Sequence, residues 1–148
     1  MRTMSVKQVR NKLNWAEVQI LAALQASMTL MLSDLLGRMK KRIFNRQGST
    51  DSEGKKLPEY STSYAKMAKK TAKTWDLQRT GTLMDNITTG KTKNSQVIGI
   101  AASQAKKVGE IQMKSKNEKI FDPSENEVDQ ATNVMTSFFL NNLERIFK

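Results

Sequence analysis

The sequence predicts an α+β fold in which a long N-terminal helix and a C-terminal helix pack on a small antiparallel β-sheet. Three observations predict it. Apolar residues recur at three- and four-residue spacing between Leu21 and Ile43, two β-branched runs flank a polar turn at residues 90–95, and Pro123-Ser124 opens a second amphipathic stretch. At 148 residues the chain has the size of a single domain, 1–148.

The first helix is predicted to start at Asn14, an N-cap with Glu17 at capping-box distance, which leaves residues 1–13 as an N-terminal arm. It should run to about Phe44, with Asn45 and Gly48 supplying the stop. Leu21, Leu24, Met28, Met31, Leu32, Leu35, Met39 and Ile43 form its core face. A helix of about 29 residues is on the order of 44 Å long, whereas a compact chain of this size is roughly 38 Å across. Ala22, Ala26, Ser33 and Gly37 make a seam of small residues opposite the leucines, a candidate subunit interface. The alternative is an exposed face of good helix formers, against which Gly37 costs about 1 kcal/mol relative to Ala.

Residues 45–59 are polar, and Gly48 to Gly54 contains no apolar side chain, so a flexible loop is expected, ordered only against a neighbouring protein. Tyr60 to Thr74 reads as a short basic helix with Tyr64, Met67 and Ala68 inward and Lys66, Lys69, Lys70 and Lys73 outward. Thr80-Gly81 is a structural turn, with Thr82 and Asp85 at capping-box spacing for a helix of one or two turns. Gly81→Val is therefore expected to be more disruptive than Gly90→Val, Gly90 being placed in the hairpin loop. Residues 86–89 and 96–101 are the hairpin strands. Val108 to Lys116 fits either a strand or a short helix.

Asp122-Pro123-Ser124-Glu125-Asn126-Glu127 is a helix start, with Ser124 as cap and Glu127 completing the box. Val128, Ala131, Met135, Phe139 and Ile146 form the central stripe of a helix running to Phe147. Val134, Phe138, Leu140 and Phe147 widen the face enough for two packing partners.

Composition narrows the chemistry. With neither Cys nor His, the chain has no disulfide, thiolate nucleophile, Cys/His zinc site or imidazole base, and it is expected not to be an enzyme and to bind no cofactor or metal. Asp76 and Asp85 lack a third acid beside them, and Ser61, Ser63 and Tyr64 near Lys66 lack an oxyanion-hole sequence. A net charge of +11 points to polyanionic surroundings. Lys66, Lys69, Lys70 and Lys73 are candidate DNA-phosphate contacts, of the backbone-directed and salt-sensitive kind, because lysines without interleaved aromatics do not read bases. The basic clusters lie before position 120 and the last helix is richer in acids, a polarity that could favour head-to-tail contact between copies. Glu17, Gln19 and Gln25 interrupt the apolar stretch near the N-terminus, and no membrane span is expected.

The segment Leu77-Gln78-Arg79-Thr80-Gly81-Thr82-Leu83-Met84-Asp85-Asn86-Ile87, with Gly54 to Leu57 upstream and Ile120-Phe121-Asp122-Pro123 downstream, resembles the tail-completion and head–tail joining (neck) proteins of tailed bacteriophages. The chain departs from that pattern at Leu57, where a Trp is common, and over Ala105 to Gln112. The resemblance implies an α+β subunit of a homo-oligomeric ring in the virion neck or upper tail, made in the bacterial host cytoplasm. It implies portal-side adaptor and tail proteins as partners and a lumen in which basic side chains meet DNA transiently. A basic, sequence-nonspecific DNA-binding or packaging accessory protein is the alternative.

Overall fold

A computed structural model describes residues 4–45, 48–63, 66, 82–92, 95–101, 103–115 and 118–148. The chain is α+β: helix α1 (Val6–Ile43), a short helix α2 (Thr82–Asn86), strands β1 (Ile87–Lys91) and β2 (Gln96–Ile100), helix α3 (Ser103–Ser115), a 3₁₀ turn (Glu118–Phe121) and helix α4 (Glu125–Phe147). The segment Val108 to Lys116, open between strand and helix in the sequence, is helical through Ser115.

Helix α1 begins well before the expected Asn14. Ser5 is the N-cap, its hydroxyl accepting from the Gln8 amide while the Gln8 side chain accepts from the Ser5 amide. Both Ser5-x-x-Gln8 and Asn14-x-x-Glu17 have the spacing of a capping box. The earlier one wins because no Gly or Pro intervenes before Gly37 to stop propagation. Residues 6–13 are consequently the first two turns of a 38-residue helix rather than an arm. At 1.5 Å per residue it is roughly 57 Å long.

The core lies at the carboxyl end of α1. Leu35, Met39, Ile43 and Phe44 pack with Leu83, Ile87, Ala105, Ile120 and Ala131. Burying these side chains is the main stabilising contribution, at about 1.5–3 kcal/mol for each large one. The two strands pair antiparallel in the register Ile87–Ile100, Thr89–Ile98 and Lys91–Gln96. Ile87, Ile98 and Ile100 turn toward the core; β2 alternates half-buried with exposed residues, whereas β1 is exposed beyond Ile87. Gly90 sits inside β1 opposite Val97 and not in the loop, so the sequence misplaced it by the two residues the ladder extends beyond Thr89.

Helix α4 starts as the sequence predicts. Ser124 caps it, accepting from the Glu127 amide at 3.2 Å while Glu127 accepts from the Ser124 amide at 2.8 Å. It lies antiparallel along α1, with Gln130 and Glu127 beside Arg38 and Arg42 at one end and Asn142 and Arg145 beside Trp15 and Gln19 at the other. Of its broad face, Ala131 is buried and Val128, Val134, Met135, Phe139 and Ile146 are half-buried, while Phe138, Leu140 and Phe147 remain exposed.

Candidate assembly surface

The amino-terminal half of α1 is a largely uncovered stretch among the described residues. Leu21, Leu24 and Met28, expected in the core, are exposed, because the hairpin, α2 and α3 gather on the carboxyl half of the helix. Val6, Val9, Leu13, Trp15, Val18 and Leu30 are exposed as well. Apolar side chains thus point in several directions from this stretch, and only Ala23 and Ser27 are buried on it, with Ala16, Gln19 and Ile20 half-buried beside them. Exposed apolar surface of this extent is ordinarily enclosed, by protein or by lipid. By length and composition α1 could cross a bilayer: one 18-residue window has a mean hydropathy of 1.5, and 11% of it is buried.

The four seam residues, Ala22, Ala26, Ser33 and Gly37, are all exposed. Ala22 and Ala26 line a groove of about 420 Å³ that α1 forms with Asn142, Arg145 and Ile146 of α4. At Gly37 a Cβ would meet no atom within 4 Å. Among the described residues nothing requires the glycine, so its cost to the helix is not offset by packing there.

The basic patches are less uniform than the sequence implied. Lys66 is exposed on helical backbone, whereas Lys69, Lys70 and Lys73, with Thr80, Gly81, Asp76 and Tyr64, lie outside the described residues. Asp85, Ser61 and Ser63 are exposed, and among the described residues no group of three potential metal ligands comes together. In the Arg38–Arg46 cluster, Arg38 binds Asp34 at 2.6 Å and also Gln130. Arg42 is engaged still more completely. Its Nε donates to Glu127 Oε1 at 2.9 Å, and its terminal nitrogens donate to the carbonyls of Thr50, Ile120 and Asp122 at 2.9, 3.2 and 2.6 Å. Both members of the Arg42–Glu127 pair are nearly covered. One guanidinium therefore ties α1, residues 48–57, the 3₁₀ turn and α4 together.

That hub also anchors residues 48–57 through the Thr50 carbonyl. Ser49 and Asp51 are buried. Asp51 Oδ1 accepts from the amides of Glu53 and Lys55 at 3.0 and 2.9 Å, Asp51 N donates to Lys55 O, and Leu57 N to Ser49 O. Thr50 and Lys56 form an antiparallel bridge, and Gly54, at φ 80°, supplies the left-handed residue of the turn. Within this segment polar groups satisfy one another in place of apolar burial. The only sequence signal was the Asp51-to-Gly54 turn pattern.

Beside the hub an open polar cleft of about 740 Å³ is lined by Asp51, Glu53, Lys119, Asp122 and Glu125 among others. Lys119 pairs with Glu53. That hydrogen bond, with the negative charges of Glu53, Asp51 and Asp122, raises the Lys119 ammonium above its ordinary pKa.

The chain was compared with family models, with curated proteins and with solved structures, and it matches none of them.

Proposed function

We propose that the chain is a structural protein of a tailed-phage virion, a subunit of a neck or tail-completion ring that joins the DNA-filled head to the tail. The observation that carries this reading is the Leu77-to-Ile87 segment placed between an upstream helix and a downstream hairpin and terminal helix. The uncovered α1 supports it, since a surface of that kind asks for protein neighbours. In this reading the subunits meet through the Ala22, Ala26, Ser33, Gly37 seam, with portal-side adaptor and tail proteins above and below. The protein acts by shape and charge, without turnover, cofactor or metal.

The net charge of +11 favours a second reading, a DNA-binding or packaging accessory protein that grips phosphates through Lys66, Lys69, Lys70 and Lys73. Light-scattering mass measurement during gel filtration, at low and high salt with and without duplex DNA, separates the two. A ring subunit gives a discrete oligomer that persists in high salt without DNA. A species that stays monomeric and gains mass only with DNA at low salt would sink the ring reading in favour of the second.

A further inference from the structure

One stripe runs the length of α1. Val6, Arg10, Leu13, Glu17, Leu21, Leu24, Met28, Met31, Leu35 and Met39 follow one another at intervals of three or four residues, so they share one helix face. Its carboxyl half is core, with Leu35 and Met39 only 6% and 4% exposed. Its amino-terminal half has the same spacing and is exposed: Val6, Leu13, Leu21 and Leu24 are 81%, 65%, 52% and 38% exposed. The stripe lies about a quarter turn around the helix from Ala23 and Ser27, the line that α4 occupies, so α4 does not block it.

Two charges interrupt the uncovered half. Arg10 and Glu17 are both exposed, and neither has a hydrogen bond or ion pair among the described residues. Seven residues separate them, roughly 10.5 Å along the axis, which is too far for a bond within the helix. The order is apolar, plus, apolar, minus, apolar. It becomes self-complementary when a second copy runs in the opposite direction.

We propose that two copies of the chain pair antiparallel along the amino-terminal half of α1, about a dyad between Leu13 and Asn14. Each Arg10 then meets the partner's Glu17, each Val6 meets the partner's Leu21, and each Met4 lies beside the partner's Leu24. The contact is isologous, so every favourable pair occurs twice. A parallel pair would instead set Arg10 against Arg10 and Glu17 against Glu17, with Lys7 and Lys12 adding repulsion. About 20 residues of each helix take part and bury on the order of 1,200 Å² in all, the lower end of specific interfaces. Lipid is the poorer cover for the same surface. Asn142 and Arg145 of α4 lie against the Trp15–Ala26 stretch and would be carried into the bilayer with it. The pairing does not rest on the virion reading, and it uses a different face of α1 from the small-residue seam.

The chain has no cysteine, so a single introduced thiol tests the geometry cleanly. Full-length Asn14→Cys is expected to form a disulfide dimer under mild oxidation. Leu24→Cys, about 30 Å from its symmetry mate in the antiparallel pair, is not. Cross-linking of both variants equally would mean a parallel pair and would overturn the proposal. Sedimentation should show association through this face in the micromolar range, read as a dimer in Gly37→Leu, where the small-residue seam is blocked. Glu17→Arg should weaken it at least about tenfold, and Arg10→Glu combined with Glu17→Arg should restore it to within about threefold. Restoration can only act across two copies, because the two residues cannot reach each other in one helix. A wild type that is monomeric at every concentration, or that instead floats with vesicles containing anionic lipid, would also overturn the proposal.

Discussion

Arg42 shows how a residue's role can differ from its chemical type. In the sequence it belongs to a basic cluster, yet its guanidinium is committed to Glu127 and three backbone carbonyls. Removing it leaves a nearly buried carboxylate and the three carbonyls without that donor. Arg42→Met is expected to destabilise the fold by about 3 kcal/mol in urea denaturation, more than removal of any exposed lysine. A loss below roughly 1 kcal/mol would show that the hub is peripheral. Asp51 carries a related prediction. Asp51→Ala removes the acceptor of the Glu53 and Lys55 amides, so hydrogen exchange at those amides should accelerate while the α4 amides keep their protection. Unchanged exchange at Glu53 and Lys55 would contradict the Asp51-centred turn.

At the scale of elements, the sequence revealed most where a local signal is self-sufficient. The Ser124–Glu127 box and the Ile87–Ile100 hairpin could be read directly, because capping chemistry and β-branched alternation are properties of a few adjacent residues. The start of α1 could not be read so directly, since Ser5-x-x-Gln8 and Asn14-x-x-Glu17 carry the same motif and only helix continuity decides between them. Nor could the fate of Leu21, Leu24 and Met28 be foreseen from periodicity, which says that a face is apolar and not which element covers it. The hub was hidden because Arg42 and Glu127 are 85 residues apart and each had a sufficient local explanation. Two glycines separate internal packing from external function. At Gly109 of α3 a Cβ would lie 2.7 Å from Ile100 Cδ1 and 3.6 Å from Leu83 Cδ1, whereas Gly37 faces open space. Gly109→Val should therefore destabilise the fold through overpacking by about 1–3 kcal/mol, read as a lower melting temperature. Gly37→Ala should instead raise the stability of the isolated chain by about 0.5–1 kcal/mol. If Gly37→Ala destabilises the isolated chain, that glycine has an internal role that its open surroundings do not reveal.

For the whole molecule, a small core at one end of a helix of roughly 57 Å leaves more apolar surface than a chain of this size needs to fold. The positive charge adds a field that attracts DNA at low salt, but charge alone does not account for the exposed Leu and Val residues. In the proposed assembly the apolar faces would be turned to protein and the lysines to a lumen. The most direct test of this account is the sedimentation of the pure protein in high salt without DNA, for the wild type and for Gly37→Leu. The account predicts that the wild type forms one discrete oligomer larger than a dimer, and that Gly37→Leu, folded by circular dichroism, stops at the dimer or below. A wild type that never exceeds a dimer, or a Gly37→Leu variant that assembles like the wild type, would contradict it.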